Sequence, residues 1–356
     1  MTSTLAQRLL DHIMPGGAQS GSPSRLSVIG LCKNAGKTVT LNHLVRAAAE
    51  RQLPLGLVST GRDGEEHDAI TELPKPRVWA PAGTWIATAA GALPAGTAAV
   101  STFKQLPMGT PFGPVVIGRV DREGQVLLIG PGSVKRIGDV LGGLEAYGAR
   151  LCLVDGSFDR IAAAAPAVTG RVVLAAGAAY SASMVETVSQ VRHLLDVFDL
   201  PGVPAALESA VEQARERGPV SVVTLGGAIH EVPVVTALGD PEPIARAVAE
   251  HEPYGACLVL NGALGDRLMM TLLKTRARTV SVVVNDPTHI LVERNLWRRW
   301  RRQGGQAYVR HRVNLVTVTT NPYSPVGQSY NARDFFEAIR DMAHRPVFDL
   351  EAGFSA

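Results

Sequence analysis

Residues 26 to 42 constrain the fold more than any other stretch. Leu-Ser-Val-Ile-Gly-Leu-Cys-Lys-Asn-Ala-Gly-Lys-Thr-Val-Thr-Leu-Asn reads as a buried strand, a tight polar loop and the opening of a helix. Leu26 to Leu31 is short, apolar and branched; Cys32 to Ala35 breaks the run; Gly36-Lys37-Thr38 starts a helix with Val39, Leu41, Leu44 and Val45 at helical spacing. That order predicts an α/β protein, a mostly parallel sheet flanked by helices, with a phosphate site where strand turns into helix. Consecutive backbone N–H groups at a helix N-terminus, backed by the positive end of the helix dipole, suit a polyphosphate. Lys37 would add a point charge for the β- and γ-phosphates, and the Thr38 hydroxyl would ligate Mg²⁺. Gly30, Asn34, Ala35, Gly36, Lys37, Thr38 and Val39 are therefore candidate nucleotide-binding residues, with ATP and Mg²⁺ the expected cofactors.

The standard phosphate-loop pattern places four residues between its first glycine and Gly-Lys-Thr. Here residues 31 to 35 separate Gly30 from Gly36, and Lys33 gives the loop a second lysine. A partner for the loop comes later, at Leu151-Cys-Leu-Val-Asp155-Gly156, an apolar run that delivers a carboxylate to the sheet edge. Asp155 is a candidate Mg²⁺ residue, and Gly156 lets the backbone approach the γ-phosphate closely. The run Leu55 to Ser59 ends in Thr60-Gly61-Arg62-Asp63-Gly64-Glu65-Glu66-His67-Asp68, an acidic loop at the same edge. Asp63 is read as a metal or catalytic residue and Glu65 as a catalytic one.

Elsewhere the pattern is that of a βα repeat. An amphipathic helix is expected over residues 1 to 14, a short helix near Ile86 to Ala90, and a hairpin pairing Pro114–Arg119 with Gln125–Ile129. A composition shift at 201 to 219 suggests a nucleotide-binding core over 25–205, preceded by a helix and linker over 1–24. A second βα half over 206–346, continuing the same sheet or separate from it, and a tail over 347–356 would follow. The last strand of that half ends in Asn321-Pro322, candidates for contact with the base. Polar ends at Asn261 and Asp286 suit either a ligand edge or ordinary βα turns.

Net charge is +3, too small to argue for nucleic acid. Trp297-Arg-Arg-Trp300-Arg-Arg mixes aromatic and basic residues, yet its helical spacing turns the tryptophans to the core. Cys32, Cys152 and Cys257 lie in or beside apolar runs without metal spacing, as reduced thiols of a cytoplasmic protein do. No apolar run reaches the roughly 18 residues of a membrane span, and residues 2 to 14 are too polar for a signal peptide.

The loop resembles those of the P-loop NTPase subclass that contains dethiobiotin synthetases, cobyrinic acid amide synthases and MinD/ParA-type ATPases. Some of these carry an extra loop lysine, at a spacing that differs from Lys33 here. Segments 30–38, 59–65, 75–88, 153–160, 285–288 and 320–327 together are similar to the KamB family, ATPase-like proteins associated with lysine 5,6-aminomutase and a MutS-like partner. That resemblance implies a role in maintaining an adenosylcobalamin-dependent aminomutase. Three readings stay open: an ATP hydrolase or switch, an ATP-dependent ligase or small-molecule kinase, and a nucleotide-binding assembly protein with negligible turnover. A homodimer is compatible with each.

Overall fold

The computed structural model describes residues 2–14, 22–60, 78–156, 169–251, 256–274, 280–325 and 327–356. The chain divides into two units, Met1–Arg192 with Asn314–Ala356, and His193–Val313. The first unit begins α1 (Thr2–Ile13), β1 (Ser24–Gly30), α2 (Lys37–Glu50), β2 (Leu55–Ser59), β3 (Val78–Ala80) and β4 (Trp85–Ala89). It continues β5 (Ala99–Thr110), β6 (Gly113–Arg122), β7 (Gly124–Val126), α3 (Val134–Ala146), β8 (Leu151–Asp155) and β9 (Arg171–Gly177), and the division to the second unit falls within α4 (Met184–Phe198). The second unit holds α5 (Ala205–Arg217), β10 (Val220–Thr224), β11 (Ile229–Glu231), α6 (Glu242–His251), β12 (Ala256–Leu260) and β13 (Leu264–Gly265). It closes with α7 (Asp266–Lys274), β14 (Ser281–Val284), β15 (Ile290–Leu291), α8 (Arg294–Arg302) and β16 (Gln306–Val309). The chain then returns to the first unit with β17 (Asn314–Asn321), α9 (Ala332–Ala343), β18 (Val347–Asp349) and β19 (Phe354–Ser355).

The first unit is built on a ten-stranded sheet in the order β19-β18-β17-β9-β1-β8-β2-β4-β6-β5. From β18 across to β4 every pairing is parallel. β19, β6 and β5 are antiparallel additions at the two edges. The central strands are apolar almost throughout because helices cover both faces of a parallel sheet; β2 is buried at every position and β8 at all but Asp155. Leu5, Leu9, Leu10 and Ile13 of α1 share one core with Leu41 and Leu44 of α2, Leu26 of β1 and Phe348 of β18. The expected N-terminal helix is thus integral to the first unit.

The second unit has its own sheet, β11-β10-β12-β14-β16, with β12, β14 and β16 parallel and β10 antiparallel to β12. Trp297 and Trp300 are buried in its core, as their spacing predicts. Among the described residues no helix is long and apolar enough to cross a membrane.

Several expectations are corrected. The division into 25–205 and 206–346 gives way because β17, though it follows the second unit in sequence, pairs with β9 in register Asn321↔Gly177. The expected tail contributes β18 and β19 to the same sheet. Of residues 86–90, read as a short helix, 86–89 lie in the largely buried strand β4, and Ala90 opens a 3-10 turn over Ala90–Ala95. β6 pairs with β5 rather than with the segment after it, and β7 pairs with β3. Asp121 to Gly124 is therefore not the turn of a hairpin; Pro111 and Phe112 are.

Candidate functional site

The carboxyl ends of five neighbouring strands, β17, β9, β1, β8 and β2, form one edge, and the segment after β1 sits at its middle. Leu31 leaves the strand with its N–H still bonded to the Ala175 carbonyl of β9 at 2.9 Å. The chain then turns through two left-handed residues, Asn34 at φ 60° and Gly36 at φ 99°. Asparagine and glycine tolerate that region best, which explains their presence in so tight a loop. Gly36 offers no side-chain acceptor to the first N–H groups of α2. The start of this helix, at Lys37, Thr38 and Val39, lacks the side-chain cap found on α3, α8 and α9.

Lys37 folds back over the end of β1. Its Nζ donates to the Cys32 carbonyl at 3.1 Å, and a Cβ built on Gly30 would stand 2.8 Å from its Cγ and 2.9 Å from its Nζ. Gly30 is thus required for Lys37 to lie along the strand end, although the spacing to Gly36 departs from the standard pattern. β8 runs beside β1 with Asp155 level with Val28. The Gly156 N–H reaches back to the Val28 carbonyl at 3.0 Å, and the Thr60 N–H to the Asp155 carbonyl at 3.0 Å. Burial pushes the Asp155 carboxyl above its ordinary range, and the Lys37 charge pulls it partly back. Lysine and carboxylate are therefore electrostatic partners across adjacent strand ends. Lys33 is exposed on the loop. The Cys32 thiol is held at about 11 by burial, which leaves it protonated at neutral pH.

β17 braces the loop from the other side. The Thr319 and Thr40 hydroxyls are buried 2.8 Å apart, and a Cβ on Gly36 would come 2.9 Å from the Asn321 Cβ and 3.2 Å from its Nδ2. Asn321 accepts from the Tyr323 N–H at 3.2 Å, and the Pro322 carbonyl accepts from the Tyr330 N–H at 2.9 Å. The structure thus brings Asn321 and Pro322 to the same edge as residues 30–39, Asp155 and Gly156. Asp63 and Glu65 lie outside the described residues.

Comparison of the chain with protein-family models, curated proteins and solved structures found no match.

Two glycines of the edge escaped the sequence reading. A Cβ on Gly177 would stand 2.6 Å from the Ala35 Cα, and one on Gly130 would stand 1.5 Å from the Ser59 carbonyl oxygen. Only close approach between distant backbones demands them, and no local pattern reports it. Gly177 has extended dihedrals, φ −136° and ψ 152°, open to any residue, so the constraint there is purely steric. Gly177→Ala is expected to cost about 1–3 kcal/mol by overpacking against the loop. Gly142→Ala, on the exposed side of α3 with nothing within 4 Å of a Cβ, should instead stabilise by about 0.5–1 kcal/mol. Thermal or urea unfolding of the two variants measures both signs.

In the second unit the corresponding polar residues are spent on structure. Asp286 caps the turn at Pro287–His289 by accepting from the Thr288 N–H. The Asn261 amide donates to the Arg215 and Gly218 carbonyls at 2.9 and 2.6 Å.

Proposed function

We propose that the protein is a Mg²⁺-dependent P-loop ATPase that works as a switch. The observation that carries this reading is the pairing of Lys37, at an uncapped helix start, with Asp155 at the end of the adjacent strand. A lysine, a helix start without a side-chain cap and a carboxylate converging on one strand edge suit a nucleotide triphosphate with its divalent ion. The loop N–H groups from Asn34 to Val39 and the Lys37 ammonium would hold the β- and γ-phosphates. Thr38 and Asp155 would hold Mg²⁺, which supplies neutralisation of the charge that develops on the phosphates. Lys33, exposed on the loop, would add positive charge as that charge grows. Asn321 and Pro322 bound the edge where the base would lie. Asp63 or Glu65 would orient the attacking water, a role that rests on the sequence pattern. Maintenance of an adenosylcobalamin-dependent lysine aminomutase, with a MutS-like partner, is the biological role proposed from the family resemblance.

The direct test is thermal unfolding with ATP, GTP and no nucleotide, each with and without Mg²⁺. A ligand at a hundred times its Kd stabilises by about 2.7 kcal/mol. Mg²⁺–ATP is expected to raise the transition by that order, ATP without Mg²⁺ by less. No shift with any nucleotide would remove the reading.

A further inference from the structure

The second unit carries a surface that nucleotide chemistry does not use. Five of the nine residues of α8 are arginine, at 294, 298, 299, 301 and 302. With both tryptophans buried, Asn295, Arg298, Arg299, Arg302 and Gln303 line an open cleft of about 390 Å³. Arg301 donates to the Gly305 carbonyl at 2.8 Å. Arg299 and Arg302 are exposed and form no ion pair with any described residue.

Large apolar side chains stand near the start of the same helix. Leu291, three residues before α8, is 55% exposed, and Leu238 is 50% exposed. Strands β13 and β15 pair Gly265 with Leu291, and a Cβ on Gly265 would stand 3.0 Å from a Leu238 methyl. Leu238 and Leu291 therefore flank the same glycine. The next residue, Asp266, accepts the Glu293 N–H at 2.8 Å and ties this apolar spot to the start of α8. Met270, one turn along α7, is exposed as well.

We propose that this face docks an acidic protein segment, its carboxylates on Arg298, Arg299 and Arg302 and its apolar side chains against Leu238 and Leu291. Arginine and methionine are enriched at protein interfaces, and the guanidinium fork matches a carboxylate bidentately. Charge complementarity selects an acidic partner; the adjoining leucines select one with apolar anchors. Nucleic acid fits worse. The tryptophans offer no stacking platform because they are buried, and a nine-residue helix of about 13 Å presents fewer cations than the roughly 6–10 phosphate contacts of a salt-sensitive DNA binder.

The test uses the full-length protein, a fluorescein-labelled acidic amphipathic peptide of Glu and Leu, and a labelled DNA duplex, read by anisotropy without nucleotide. The peptide should bind, and R299Q/R302Q should weaken it about tenfold. Leu291→Ser should weaken it several-fold in a way that persists at high salt, and the duplex should bind less tightly than the peptide. Circular dichroism checks that these surface variants fold. The proposal is overturned if the peptide does not bind, if R299Q/R302Q binds it as wild type does, if Leu291→Ser is without effect, or if the duplex binds more tightly. Because no nucleotide is present, failure here is separate from failure of the ATPase reading.

Discussion

Lys37→Ala is expected to lose ATP binding by about 10- to 100-fold, the worth of a charge-assisted hydrogen bond of roughly 1.5–3 kcal/mol. Turnover should fall further, on the order of 10²–10³, because the ammonium acts most strongly where phosphate charge develops. The fold should survive. Lys37 is only half-buried, and its ammonium donates to the Cys32 carbonyl of its own loop. The variant also strips Asp155 of the charge that partly offsets its burial, so its carboxyl should move further up and the nucleotide-free protein should lose a little stability at neutral pH. Equilibrium binding of a fluorescent ATP analogue and steady-state phosphate release measure the two losses. An unchanged affinity would show that Gly36-Lys37-Thr38 is merely a helix start.

Asp155→Asn should separate stability from function. Burial holds the Asp155 carboxyl above its ordinary 3.8, with Lys37 offsetting only part of the shift. The folded protein therefore binds that proton more tightly than the unfolded chain does. Stability contributed by the protonated form is complete below 3.8 and is lost as pH rises through the folded-state value. An asparagine has no charge to desolvate, so the variant should unfold at a higher temperature than wild type at about pH 7, the gap closing towards pH 4. In the same variant the loss of a hard, charged oxygen ligand should remove the Mg²⁺ dependence of ATP binding and lower turnover on the order of 10²-fold. Melting curves across that pH range, with and without Mg²⁺–ATP, read both effects. A wild type more stable than Asp155→Asn at neutral pH would contradict the burial argument, and retained Mg²⁺ dependence would contradict the metal role.

What could be read from the sequence was whatever chemistry lies close together along the chain. Residues 30–38 announce strand, loop and helix within a few positions, and Asp155 closes an apolar run. β17 was harder to place because its partner β9 lies on the other side of an entire inserted unit, and only register could assign it. β5 went unseen for a different reason. As an edge strand it is exposed along most of its length, so it carries no alternating apolar signature, and β6 was left to seek a partner downstream. The Ile86–Ala90 run, with three alanines, suits a helix on propensity, but burial of its first four residues against β2 and β6 overrides it. Gly130 and Gly177 mark contacts between distant backbones and become legible only once those backbones are in place.

The insertion of one unit within another also sets an order of assembly. As the chain leaves the ribosome, Lys37 and Asp155 are made before the second unit, whereas Thr319, Asn321 and Phe348 are made after it. Domains generally fold in the order in which they emerge. Here the second unit is complete while the first still lacks the strand that buttresses Thr40 and abuts Gly36. The nascent chain thus carries the loop between β1 and α2 without the strand that braces it until the whole of the second unit has been made.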